Sequence, residues 1–116
     1  MRREELYLAD IVEAADAIEY FFADGDKGTF LQNDLLRSAV LHKLTIIGEA
    51  AARLPAEFHE RRAGIEWADI VGFRNIAVHS YFSVDWNIVW LTATEDTPKL
   101  RDQVARILDR EYPPQT

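Results

Sequence analysis

Apolar residues recur at three- and four-residue spacing along most of the chain, and no segment sustains a two-residue alternation. Leu6, Ile11, Ala14, Ala15, Ile18 and Phe22 form one stripe with acids opposite, which predicts a helix over 3–22. Gly25 and Gly28 punctuate 23–29, which reads as a loop. Asn33 suits an N-cap, with Asp34 in the first turn behind it. The helix it opens carries Leu35, Ala39, Val40, Leu44, Ile46, Ile47 and Ala50 toward Leu54, where Pro55 stops it. Its apolar positions cover much of the circumference, so it is expected at the centre of the fold.

Glu57 to Gly64 is polar and irregular, with room for a short helix. A third helix is predicted from Trp67 to Ser80. Asp85 caps a fourth over 86–94, and Thr97-Pro98 opens a fifth that turns Leu100, Val104, Ile107 and Leu108 inward. Pro113-Pro114 is expected to end the ordered chain. The predicted fold class is all-α: a compact bundle of about five helices in one domain spanning 1–116.

A length of 116 residues supports one core and not two. No apolar run is long enough to span a bilayer, and the N-terminus turns charged at once, which predicts a cytoplasmic protein without a membrane segment. The absence of cysteine removes disulfides, thiolate metal sites and cysteine nucleophiles. A formal net charge of −7 argues against binding nucleic acid by general phosphate attraction, but leaves room for a local positive cleft. It also suits a basic protein partner.

The chemistry concentrates in 73–82. Arg74, Asn75, His79 and Tyr81 place a guanidinium, an amide, an imidazole and a phenol within eight residues. Arginine binds phosphate as a permanently charged planar fork, and histidine transfers protons near neutral pH. The two suffice in principle to cut a phosphodiester without a metal. At 100° per residue Ile70, Phe73, Ile76 and Ala77 share the core face, while Gly72, Asn75 and His79 share the opposite one. That small and polar stripe predicts a second packing surface, most simply a homodimer interface through Gly72, Asn75 and His79. On an ideal helix Arg74 and His79 stand about 140° apart, so a reach, a frayed end or a second protomer must bring them together. An Arg, Asn or His on an outer helix face is ordinarily solvated surface, and Trp67, Phe73, Phe82, Trp86 and Trp90 read as core before base-stacking platforms.

Other sites are weaker. Asp24-x-Asp26-x-Gly28-Thr29 departs from a calcium loop at the sixth position, Thr29, and at the twelfth, Leu35. His42, His59 and His79 lack zinc-ligand spacing. No glycine loop for nucleotide phosphates is present, and no cofactor is expected. Gly48-Glu49 in the central helix can set a carboxylate near the cleft, although a solvated structural glutamate is the plainer reading.

Arg74-(x)4-His79-x-Tyr81 resembles the R-x4-6-H motif of HEPN-domain ribonucleases, with the further tyrosine of the HepT-type toxins. The likeness extends over Asp10-Ile11 to Phe22, Phe30 to Ala39, Ile46 to Ala51, Ile65-x-Trp67 and Tyr81-Phe82-x-Val84-Asp85 to Trp90. It implies a dimerising helical bundle that cleaves RNA without metal, with Arg74 and His79 as the catalytic pair and Asn75 assisting. It further implies a nucleotidyltransferase antitoxin of the MNT type that transfers AMP to Tyr81. Glu66 stands where many relatives have proline, and Ser80 where aspartate is frequent. The competing class is a non-catalytic helical module binding a nucleotide or protein through the same face.

Overall fold

The computed structural model describes residues 3–22, 25–75 and 83–114, and all regular structure among them is helical. α1 (Arg3–Phe21) packs along α3 (Asp34–Arg53) and α7 (Thr97–Glu111). Leu8, Ile11 and Ile18 of α1, Val40, Leu44 and Ile47 of α3, and Leu100 and Val104 of α7 are buried together. Arg101 ties α7 to α1, its Nε donating to Asp16 Oδ1 at 2.9 Å. That hydrogen bond, with the attraction of the same carboxylate, raises the Arg101 pKa above its usual value. Among the described residues, no helix is long and apolar enough to cross a membrane.

The first helix keeps its predicted stripe with one exchange: Leu8 is the buried residue and Leu6 is exposed. Leu8, Ile11 and Ile18 follow the helical repeat, and Leu6 falls off it. In α3 the sequence expectation holds for Val40, Leu44, Ile47 and Ala50, while Leu35 in the first turn is largely exposed. Asn33 caps α3 as expected, accepting the Leu36 N–H at 3.0 Å. Leu54, preceding Pro55, is extended and ends it.

Two segments outside the Trp67–Asn75 region depart from the sequence reading. The expected loop at 23–29 gives way at Lys27 to a short helix, α2 (Lys27–Gln32), capped by Asp26 Oδ1 on the Thr29 N–H at 2.8 Å. It buries Phe30 in an aromatic cluster with Phe22, Trp86 and Trp90. The fourth and fifth helices run on continuously: α6 (Trp86–Leu91), capped by Asp85, passes through a π-helical turn over Thr92–Asp96 into α7. Pro98 lacks an N–H for the Thr94 carbonyl and would crowd it, and the wider π turn relieves that conflict. Thr97 is therefore no cap. It is buried, and its hydroxyl donates to the Thr92 carbonyl at 2.8 Å.

A short α4 (Ala56–Arg61) fills the polar stretch after Pro55 and buries Phe58. His59 lies flat on Trp67, with centroids 4.6 Å apart and planes 7° from parallel, and its Nε2 is 2.9 Å from the Ala51 carbonyl oxygen. Trp67 Nε1 donates to the Arg62 carbonyl at 3.1 Å. This knot fixes the start of α5 (Trp67–Val71), the element that delivers the candidate site.

Candidate functional site around Arg74

α5 lasts five residues and then tightens into a 3-10 turn over Gly72–Asn75. The single helix predicted from Trp67 to Ser80 is thus corrected at Gly72. Residues three apart eclipse in a 3-10 turn. Ile70 and Phe73 accordingly stay buried, and Gly72 and Asn75 still share an outward side. Continuation to Ser80, the wheel angle between Arg74 and His79, and the placements of His79, Tyr81 and Phe82 lie outside the described residues.

The 3-10 turn presses its backbone onto α3 at Gly48. A Cβ added there would stand 2.5 Å from the Arg74 backbone nitrogen, 3.1 Å from Arg74 Cβ and 3.1 Å from the Ile70 carbonyl oxygen. No side chain fits in that gap, so glycine sets how deeply Arg74 docks. Its guanidinium then projects along the surface of α3, with Nη1 4.0 Å from Glu49 Oε1. The two side chains are 41% and 48% exposed, leaving the fork open to an incoming anion. Gly48-Glu49 thus does set a carboxylate beside Arg74.

Gly72, whose missing side chain suits the close approach that a second packing surface needs, meets nothing within 4 Å among the described residues. Within this chain that role belongs to Gly48. The signal was present as a glycine inside a strongly helical apolar run, which costs about 1 kcal/mol unless close packing repays it. Beside Glu49, between α1 and α3, lies a groove of about 300 Å³ whose walls include Tyr7, Asp10, Thr45 and Arg53. Sequence reasoning attached no role to Tyr7 or Arg53, since neither belongs to a motif.

Most of the remaining candidates have structural duties. His42 is exposed on α3, and His59 is held between Trp67 and the end of α3. Among the described residues, no three His, Cys, Asp or Glu side chains gather as metal ligands. Asp26 serves as a helix cap, and the Thr29 N–H bonded to it lowers its pKa. Trp67 and Phe73 are buried, and Trp86 and Trp90 pack against the core.

Residues 11–107 match the family described as "Ribonuclease HepT-like". The chain belongs to that family. A protein of Methanocaldococcus jannaschii provisionally named an RNase is 37% identical over 103 residues, covering 89% of this chain and 94% of its own. One from Caldanaerobacter subterraneus with the same provisional name is 34% identical over 115 residues, 96% and 99% of the two chains. A "Probable ribonuclease HepT" of Thermococcus cleftensis is 34% identical over 106 residues, 91% and 96%. No solved structure gives a significant match. The matched span contains every element that positions Arg74 in this HepT-like chain, from α3 through the 3-10 turn.

Proposed function

We propose that this HepT-like chain is a toxin that cleaves RNA without a metal, with Arg74 and His79 as its catalytic pair. The observation that carries the reading is the Arg74 guanidinium, docked through Gly48 and left half-open on the surface of a family member. Arg74 binds the scissile phosphate and balances the charge that develops on it. His79 takes the proton from the ribose 2′-hydroxyl as its oxygen attacks phosphorus. A proton is then delivered to the departing 5′-oxygen, leaving a 2′,3′-cyclic phosphate and a free 5′-hydroxyl. Asn75, exposed beside Arg74, orients the phosphate or the imidazole by hydrogen bonding.

The open face at Gly72 and Asn75 supports a homodimer that also includes His79, bringing two Arg74–His79 pairs toward one cleft. An MNT-type nucleotidyltransferase neutralises the toxin by transferring AMP to Tyr81. The added phosphodiester pairs with Arg74, and the adenosine blocks RNA.

Expression of wild type, Arg74→Ala and His79→Ala, scored for growth arrest and RNA integrity, tests the mechanism. Only wild type should arrest growth, and its cleavage in vitro should survive EDTA and spare DNA. Cleavage abolished by EDTA, or retained in both variants, refutes it. Mass spectrometry after co-expression with the nucleotidyltransferase tests Tyr81, and Tyr81→Phe should stay toxic while escaping neutralisation.

A further inference from the structure

Although the chain has a net charge of −7, one groove gathers three arginines. It runs between the turn after α4 and the C-terminal half of α7, has a volume of about 260 Å³, and is lined by Arg62, Gln103, Arg106, Arg110 and Glu111 over Ile65 and Ile107. Arg62 is built into its wall. The side chain is 11% exposed, its guanidinium sits 3.9 Å from the Phe58 ring centroid, and Nη2 pairs with Glu111. Its Nε is buried with no hydrogen-bond partner among the described residues. Arg106 and Arg110, one turn apart on α7, are exposed, and neither is ion-paired among the described residues.

That differs from Arg37, Arg74 and Arg101, each of which has a carboxylate within 4.0 Å. Set against the single Glu111, three guanidiniums leave the groove two positive charges in excess, with the Gln103 amide as a further donor. Planar forks of this kind match the oxygens of phosphate.

Gly64 and Gln103 are shared with an adjoining pocket of about 150 Å³ that reaches Phe73. Its walls carry Glu66, Asp69 and Asp96 against one cation, Lys99. Those carboxylates repel a phosphate backbone, so the arginine groove does not prolong a cationic, phosphate-binding track from Arg74 through that pocket.

We propose that the Arg62–Arg106–Arg110 groove is a second phosphate-binding site, separate from Arg74, that takes a phosphate group carried by an RNA strand or by a free oligophosphate. The proposal does not depend on cleavage by this chain. Arginine Nε–H NMR signals of the full chain, titrated with sodium tripolyphosphate and with a short 2′-O-methyl RNA, provide the test. The Arg62, Arg106 and Arg110 signals should shift and saturate. In the Arg106→Gln/Arg110→Gln double variant, with an unchanged melting temperature, groove affinity should fall at least about tenfold while the Arg74 response persists. A response to tripolyphosphate alone assigns a free oligophosphate, and a response to RNA assigns the backbone. Groove signals static in both titrations, or a double variant that binds as tightly as wild type, overturn the proposal. Failure of the ribonuclease reading would appear separately, as unchanged RNA integrity on expression of wild type.

Discussion

Gly48 and Arg74 are joined by a contact in which neither side chain takes part: the Arg74 backbone nitrogen occupies the space where a residue-48 Cβ would stand, 2.5 Å away. The catalytic candidate is therefore placed by a missing atom on another helix. Gly48→Ala should destabilise the fold by about 1–3 kcal/mol, since overpacking against backbone outweighs the roughly 1 kcal/mol that alanine gains in a helix. A Cβ at Gly72 meets no atom within 4 Å among the described residues, and the backbone there has helical φ and ψ, so Gly72→Ala should be neutral or stabilising by up to about 1 kcal/mol. Urea unfolding of the two variants checks the contrast. Equal effects would remove Gly48 as the docking position.

Asp26 gives the short α2 a pH dependence. Its folded pKa is lowered, chiefly by the Thr29 backbone N–H. A carboxylate depressed in the folded state adds stability that is fully present above its unfolded value, near 3.9. That stability is lost as pH falls through the folded value. Asp26→Ala should accordingly melt lower than wild type at pH 7, with the gap closing as pH drops from about 4 downward. Asp26→Asn keeps the accepting oxygen and loses the charge, so its melting temperature should follow pH less steeply there. Thermal melts across pH 2–7 provide the measurement. A gap that stays constant with pH would mean the charge is not involved.

The helical class was legible because the core residues of α1, α3 and α7 repeat with the helix period, as Ile11 and Ile18, Leu44 and Ile47, and Leu100 and Val104 do. Caps at Asn33 and Asp85 were legible for the same local reason, an acceptor side chain two or three residues before free N–H groups. What local pattern missed depends on neighbours distant in sequence. α2 is only six residues long and packs Phe30 against Trp90, sixty positions away. Thr97-Pro98 has the composition of a helix start, but burial of Thr97 and its bond to Thr92 keep the helix running. Glycines at 48 and 72 look alike in sequence, and only tertiary packing separates the one against backbone from the one with no atom near its Cβ position among the described residues.

His59 illustrates a chemistry-bearing residue spent on architecture. Its ring stacks on Trp67 and its Nε2 bonds the Ala51 carbonyl near the end of α3. His59→Phe keeps a ring on Trp67 and loses the hydrogen bond, an expected cost of about 1 kcal/mol. His59→Ala loses both and should cost about 1–3 kcal/mol. Urea unfolding ranks the two. Cleavage per folded molecule should match wild type in both, and a selective loss of turnover at unchanged stability would give His59 a functional role instead.

Glu49 and Arg74 form an exposed pair at the long end of ion-pair distance, so the carboxylate contributes about 0–1 kcal/mol to stability. Its effect should fall on binding. A phosphate that reaches the Arg74 fork must displace Glu49 and sit close to its negative charge. Glu49→Gln removes that competition, so KM for RNA should fall several-fold at low salt with kcat little changed. Screening weakens exposed charges as ionic strength rises, and the gain should shrink toward nothing near 1 M salt, where the Debye length is about 3 Å. Arg74→Lys keeps a charge without the planar fork, so it should raise KM and lower kcat together. Steady-state kinetics of the two variants at low and high salt separate the cases. A large loss of kcat in Glu49→Gln at unchanged KM would mean that the carboxylate aims the guanidinium, and that the open arrangement at 4.0 Å tightens before the chemical step.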